Sequence, residues 1–268
     1  MIDIHNHVIF DFDDGPKSIE ESIAMLRIAM EQGITDVFAT SHINELVTPE
    51  QETSYFKRFA ALEEELESRD IPIRLHSGCE MFHHHFMDKT VRKTRVGTLC
   101  NQGKYVLMEF PLYLMPSGVE ETLFKLTMDN LRPIIAHPER YSALHDKQEK
   151  ILQFIRYGGL LQVNTGSILG DFGKTVKRIA MWLIENRYVH FLGSDAHKPE
   201  GRTFKMRQAV QYLSTYIDDD YIEALTLNNA RSVIENEDIS PMTLPERLPQ
   251  KKQGLLQQVS SRFKRLIP

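Results

Sequence analysis

Short apolar runs of period two recur along this chain, each followed by a longer segment with apolar residues three and four apart. The first run, Met1-Ile2-Asp3-Ile4-His5-Asn6-His7, alternates Ile2 and Ile4 with Asp3, His5 and His7. That period predicts a strand with its polar side chains on one face. Ser18-Ile19-Glu20-Glu21 reads as a capping box, opening a helix that carries Ile23, Leu26 and Met30 until Gly33 stops it. A second strand is expected over residues 34–40, ending at Ser41-His42. Thr48-Pro49-Glu50-Gln51 then opens a helix with Phe56, Phe59, Leu62 and Leu66 at helical spacing. The third strand, Ile71 to Leu75, runs out through Ser77-Gly78-Cys79-Glu80.

The alternation continues to the end of the body. Lys104 to Phe110 predicts strand four, with Glu109 inside an otherwise apolar run, and Ser117-Gly118-Val119-Glu120 caps the next helix. Pro133 to Ala136 is strand five, leading into His137-Pro138-Glu139-Arg140. A helix over 146–157, closed by Gly158-Gly159, precedes strand six, Leu160 to Asn164. Another over 174–186 precedes strand seven, Tyr188 to Leu192, which ends at Gly193-Ser194-Asp195-Ala196-His197. Helical patterns over 204–216 and 221–235 follow.

Strands this apolar, alternating with helices, mark a parallel sheet covered by helices. An α/β barrel is the most economical closure and needs about 250 residues; the chain has 268. Seven strands rather than eight predict a distorted seven-stranded (β/α) barrel, although a doubly wound sheet fits the same pattern. No internal linker divides it. Residues 1–244 are therefore expected to form one domain and residues 245–268 a tail.

Composition changes this picture in three places. No stretch of about 18 apolar residues is present, so no membrane-spanning helix is expected. The start has neither a basic n-region nor an apolar h-region, and two cysteines, Cys79 and Cys100, make no disulfide framework, so a reducing cytoplasm is the expected home. Net charge is −5, but the segment from Pro245 onward carries +5, which leaves −10 on the body. An acidic body argues against nucleic acid as a partner. In the tail, Leu256, Val259, Phe263 and Leu266 fall on one helical stripe with Lys264 and Arg265 pointing away. This amphipathic helix would dock on its own barrel, an anionic membrane surface or an acidic partner segment.

The candidate chemistry lies at the strand ends. Nearly every strand ends on a metal-binding residue type: His5 and His7, His42, Glu80, Glu109, His137, then Asp195 with His197. Barrel active sites lie at that end, where the tips converge. Glu109 adds weight, because an unpaired carboxylate in a buried strand costs several kcal/mol and a cation would offset it. With Asp14, just before Gly15, the candidate ligands number nine, which suits two or three ions with Glu80 as a bridge. Imidazole and carboxylate without thiolate fit Mn, Fe or Zn; Mg prefers oxygen alone. Such a site makes hydroxide available at neutral pH and offsets charge on phosphoryl oxygens, the two needs of phosphate ester hydrolysis. The cysteine-phosphatase route, a thiolate with arginine six positions on, is excluded: His85 and Val106 stand there. His83-His84-His85 reads as a plain loop, and Asn164 and Thr165 as supporting or substrate-contacting residues at the end of strand six.

Five motifs carry a family resemblance: H-x-H in the first strand, D-D-G-P-K-S at 13–18, E-F-P at 109–111, H-P-E-R at 137–140 and S-D-A-H at 194–197. Together, from Met1 to about Asn236, they resemble the PHP (polymerase and histidinol phosphatase) superfamily. More narrowly, they resemble its manganese-dependent bacterial tyrosine-protein phosphatases of capsule and exopolysaccharide synthesis. The resemblance implies a distorted seven-stranded barrel with three divalent metal ions, Mn first and Fe or Zn as alternatives. It implies that His5, His7, Glu80 and Asp195 hold one ion, Glu80 with Glu109 and His137 a second, and Asp14, His42 and His197 the third. Many relatives in the wider superfamily have histidine where Glu109 stands; the carboxylate matches the tyrosine-phosphatase branch. Arg140 and Arg202 would clamp phosphate, a role that suits the guanidinium fork.

The expected function is that of a metal-dependent phosphotyrosine-protein phosphatase. It would attack phosphorus with metal-bound hydroxide and act on a membrane-associated bacterial tyrosine kinase. The rivals are a small-molecule phosphatase of the histidinol-phosphate type and a non-catalytic scaffold that binds the kinase.

Overall fold

The computed structural model describes residues 1–43 and 47–239. The expected tail helix over 245–268, with its stripe of Leu256, Val259, Phe263 and Leu266, and the domain limit at 244 lie outside the described residues. In chain order the strands are β1 (Ile2–Asn6), β2 (Asp36–Ala39), β3 (His42–Ile43), β4 (Arg74–Ser77) and β5 (Glu80–Phe82). They continue with β6 (Tyr105–Glu109), β7 (Arg132–Ile135), β8 (Leu160–Asn164) and β9 (Phe191–Gly193). Every pairing is parallel. One sheet has three strands in the order β1-β2-β4, and the other has six in the order β3-β5-β6-β7-β8-β9.

A single ring of seven strands is thus not what the hydrogen bonds describe. Two expected strands are each split in two. The second becomes β2 and β3, separated by Thr40-Ser41; the third becomes β4 and β5, separated by Gly78-Cys79. The cause is a side chain. The Tyr55 hydroxyl donates to Ala39 O at 2.6 Å and accepts from Gly78 N at 3.2 Å, standing where a direct rung between these segments would run. The ends of the array nonetheless approach each other: His7 N donates to Ala196 O at 2.8 Å, and Asp195 N to His5 O at 2.7 Å. The result is a mixed α/β fold built on a curled parallel sheet.

Two buried clusters hold the curl. Alternate strand residues Ile2, Ile4, Phe38, Tyr105, Leu107, Ile134, Leu160 and Phe191 form one cluster within the sheets. The other lies between sheets and helices and includes Leu26 and Met25, Leu62 and Phe59, Leu123, Ile151 and Ile179. Each such side chain contributes about 1.5–3 kcal/mol when fully buried.

The helices are α1 (Ile19–Glu31), α2 (Pro49–Ser68), α3 (Met87–Lys93), α4 (Val119–Met128), α5 (Gln148–Arg156), α6 (Thr165–Leu169), α7 (Lys174–Glu185), α8 (Met206–Leu213), α9 (Asp219–Glu223) and α10 (Asn229–Ile234). At α2 the reciprocal capping box forms between Thr48 and Gln51. At α1 only half of it does: Ser18 Oγ accepts from Glu21 N, but the Glu21 carboxylate takes the Lys17 N–H instead. Ser117 does not cap α4; Gly118, with φ 79°, is the N-cap and supplies no side-chain bond. The long helix expected over 221–235 is broken by a π-helical turn, Ala224–Asn228, into α9 and α10. No helix among the described residues is long and apolar enough to cross a membrane.

Candidate metal centre

All nine sequence-derived ligand candidates sit at one rim, at or beyond the C-terminal ends of β1, β2, β4, β6, β7 and β9. His5 lies in β1 and His7 just beyond it; Asp14 lies on the following turn. His42 and Glu80 open β3 and β5 and are register partners across that pair. Glu109 closes β6, His137 follows β7, and Asp195 and His197 follow β9. One extra residue in β1 between Asp3 and Asn6 shifts its register against β2, a device that re-aims side chains beside functional sites. His137 and Asp195 both occupy the left-handed region, with φ 33° and 53°. Non-glycine residues rarely stay there unless the surroundings hold them.

The distances are short. His5 Nε2 lies 3.2 Å from Glu80 Oε2 and 3.6 Å from Asp195 Oδ1. His7 Nε2 lies 3.4 Å and 3.5 Å from the same two oxygens. His137 Nε2 is 3.1 Å from Glu80 Oε1 and 3.5 Å from Glu109 Oε1. His42 Nδ1 is 3.1 Å from Glu80 Oε2, and its Nε2 3.7 Å from Asp14 Oδ1. His197 Nε2 is 3.3 Å from that same Asp14 oxygen. Three sets have donor atoms mutually within 4.8 Å: His7, Asp14, His42 and His197; His5, His7 and Glu80; and His42, Glu80 and Glu109. His7 and His42 each belong to two sets, where the family resemblance assigns each to one ion. Glu80 joins two sets and touches four imidazoles.

Gly193 makes part of this closeness possible. A Cβ there would stand 2.8 Å from both His5 Cβ and Gln162 Nε2.

Outside this ring of donors, other polar groups fix their orientation. Gln162 Oε1 pairs with His5 Nδ1 at 2.9 Å, and Asp13 Oδ2 with His7 Nδ1 at 2.8 Å, so each ring turns its Nε2 to the centre. Asp13 also accepts from His42 N at 2.8 Å. Asn164 Nδ2 donates to Asp195 Oδ2 at 2.7 Å. Buried Glu139 accepts the Asn164 N–H at 3.0 Å. Asn164 thus bonds the ligand candidate Asp195, whereas the Thr165 hydroxyl is buried and makes no hydrogen bond. Asp13, Gln162 and Glu139 were missed. Gln162 left the same signal as Glu109, a polar residue inside an apolar strand. His83 pairs with Thr122 at 3.1 Å and, with the rest of the His83–His85 run, lies outside the three donor sets.

Electrostatics test whether cations fit. Burial and the charge of Glu80 push the Glu109 carboxyl up to about 8. Burial opposes ionisation of Glu80 and Asp195, yet His5 and the other facing cations hold both well below the usual carboxylate range. A hydrogen bond from His197 lowers Asp14 despite its partial burial. Burial, helped by Arg140, lowers His137 to about 4 and so keeps its imidazole neutral. Glu80 Oε2 is faced by His5, His7 and His42, Asp195 Oδ1 by Arg202, His5 and His7, and His197 Nε2 by Asp14, so the groups of the rim are partnered chiefly by one another. Burial also lowers His42 and His197, whereas at His5 and His7 the facing carboxylates outweigh burial and raise the imidazoles. Carboxylates this crowded among imidazoles suit divalent cations, which would take the place of those protons, and neither cysteine joins the donor sets.

The two arginines grip one carboxylate. Arg140 Nη1 donates to Asp195 Oδ2, and Arg202 Nη2 meets Asp195 Oδ1, both at 2.6 Å. The exposed side of the cluster is marked by Asp14, Glu109 and His42.

Residues 1–235 match the capsular polysaccharide synthesis family CpsB/CapC. The chain belongs to this family. It is similar to the tyrosine-protein phosphatase CpsB of Streptococcus agalactiae serotype V, 30% identical over 88% of this chain and 99% of that protein. To the tyrosine-protein phosphatase YwqE of Bacillus subtilis strain 168 it is 31% identical, over 89% and 93%. Among solved structures it resembles one from the work on YwqE of B. subtilis and CpsB of Streptococcus pneumoniae, described as unique metal-dependent tyrosine phosphatases. That match has a TM-score of 0.85 at 30% identity and covers 92% of this chain and 100% of the other. An organophosphorus hydrolase from Deinococcus radiodurans shares the fold alone, at TM-score 0.52 and 12% identity. This CpsB/CapC protein thus combines its family's fold with a rim crowded by imidazoles and carboxylates.

Proposed function

We propose that this CpsB/CapC protein is a metal-dependent phosphotyrosine-protein phosphatase, acting in the cytoplasm on a tyrosine kinase of capsule or exopolysaccharide synthesis. The reading rests on one observation above all: nine donor side chains, Glu80 and Asp195 among them, crowd one rim, with two arginines on that aspartate. The names of its relatives support the substrate class. His5, His7, Asp14, His42, Glu80, Glu109, His137, Asp195 and His197 would hold three divalent ions, with Mn the first candidate. The seven chain segments behind β1 to β9 would complete a distorted barrel around them.

Bound divalent cations would acidify a water molecule and offset charge on the phosphoryl oxygens. The chain's own residues do the rest. A guanidinium has five N–H donors, so Arg140 and Arg202 keep donors for phosphate while bonded to Asp195. Asn164 holds Asp195, and Gln162 and Asp13 hold the imidazole tautomers. The leaving phenolate, with a pKa of about 10, departs without a dedicated general acid. The partly exposed Asp14, Glu109 and His42 side gives a peptide tyrosine a way in.

The test is turnover of a phosphotyrosine peptide against histidinol phosphate, before and after chelation and after re-addition of Mn, Zn, Fe or Mg. Elemental analysis of the purified protein accompanies it. Peptide turnover should vanish on chelation and return with Mn. Arg140→Ala should lower it about 10²–10³-fold with metal content unchanged. Preference for histidinol phosphate, or turnover indifferent to chelation, would overturn the reading.

A further inference from the structure

We infer that Phe172 is a positioning residue for Arg140, setting the plane of its guanidinium for the phosphoryl group; this rests on the phosphatase reading above. The Arg140 Cζ stands 4.4 Å from the centre of the Phe172 ring. The N–H···O contact from Nη1 to Asp195 leaves the guanidinium free to swivel about that bond. A ring whose face lies under the Cζ restrains the swivel and favours the cation electrostatically. The hydrogen bond acts at the edge of the group and the ring against its Cζ, and together they restrain its plane.

The turn that carries Phe172 is itself fixed. It lies between Gly170 and Gly173, with φ 98° and 91°, and is closed by Asp171 N to Gly166 O at 2.9 Å and Gly173 N to Gly170 O at 3.0 Å. A Cβ on Gly166 would stand 3.1 Å from Phe172 Cε2 and from Asp171 Oδ2, so the bare backbone there lets the turn lie close. Asp171 Oδ2 accepts from Lys205 Nζ at 2.6 Å. Lys205 is three residues beyond Arg202, whose guanidinium meets the other oxygen of Asp195. The Asp171-Phe172 dipeptide therefore ties the segment bearing one arginine to the side chain of the other.

A double-mutant cycle tests this. Phe172→Leu keeps an apolar side chain but loses the ring face. On phosphotyrosine peptide it should lower kcat/KM roughly tenfold and weaken competitive inhibition by inorganic phosphate by a similar factor, with metal content and Tm unchanged. Phe172→Trp should restore most of both. With p-nitrophenyl phosphate as the substrate of all four forms, which keeps the residual rate measurable, Phe172→Leu should again cost roughly tenfold beside Arg140 but less than about twofold in the Arg140→Ala background. The inference fails if Phe172→Leu stays within twofold of the wild type, or if Phe172→Trp is equally damaged. It also fails if the loss is as large without Arg140 as with it. A wild-type protein inert toward both phosphoesters would instead remove the phosphatase reading, and this inference with it.

Discussion

Two aspartates in this protein are each gripped by arginine and surrounded by imidazole, at opposite ends of the strands. Asp36 opens β2, where Arg74 on the neighbouring β4 donates to both its oxygens at 2.8 and 2.9 Å. His76 Nε2 and the Thr35 hydroxyl complete it at 2.9 and 2.8 Å. Burial would raise that carboxyl, but these hydrogen bonds outweigh it and hold it at about 2. Both Asp36 oxygens have partners. Asp195, at the other end, also has its arginines, but it shares its rim with three more carboxylates, Asp14, Glu80 and Glu109, and five imidazoles. Residue types are nearly the same in the two clusters; the number of carboxylates crowded together separates them. One carboxylate matched by its own cations is a strut, whereas four carboxylates crowded among imidazoles call for further positive charge.

The strongest attempt to break this contrast is Glu80→Gln, which keeps shape and removes the charge facing four imidazoles. Turnover should fall by about a thousandfold or more, and bound metal should fall with it. Full metal content and activity in this variant would show that the rim is merely a second strut. A smaller effect is expected one layer out. Gln162→Leu frees His5 Nδ1 and should weaken metal binding about tenfold to a hundredfold, read by competition with a chelator. An unchanged affinity would show that the His5 orientation needs no such partner.

At the strut the expected effects are smallest and concern stability alone. Asp36→Asn should leave turnover within twofold while costing about 1–2 kcal/mol, at the low end because the Arg74 side chain is largely in solvent. Its folded carboxyl lies below its unfolded value near 3.9. The stabilisation it contributes is therefore complete above about pH 4 and is lost as pH falls toward about 2. Acid unfolding of Asp36→Asn, followed by circular dichroism, should lose that portion of its pH dependence. An unaltered acid limb would mean that Arg74 and His76 contribute nothing measurable.

Much of the site was legible because tip residues recur on a regular alternation. His5, His42, Glu80, Glu109, His137 and Asp195 each end or adjoin an apolar run, and parallel strands put all such ends on one side. Gln162 was legible in principle by the Glu109 argument. Asp13 was not: it sits beside Asp14 in the same turn, and only coordinates show which of the two faces His7 Nδ1. Strand count was legible only as chain segments. The break that makes nine strands of seven segments comes from the Tyr55 hydroxyl, which belongs to a helix and leaves no mark on the strand pattern.

The sequence by itself determined the alternation of strand and helix, the donor types at the tips and the family motifs, since each depends on local period and on residues near one another in the chain. Only the tertiary structure decided that those tips share one rim, that both arginines meet at Asp195 and that Phe172 lies against one of them. The reason is physical: partners such as Arg140 and Asp195, 55 residues apart, or His137 and Glu80, 57 apart, meet through how the sheet curls and how side chains pack, and neither property is written in any single segment.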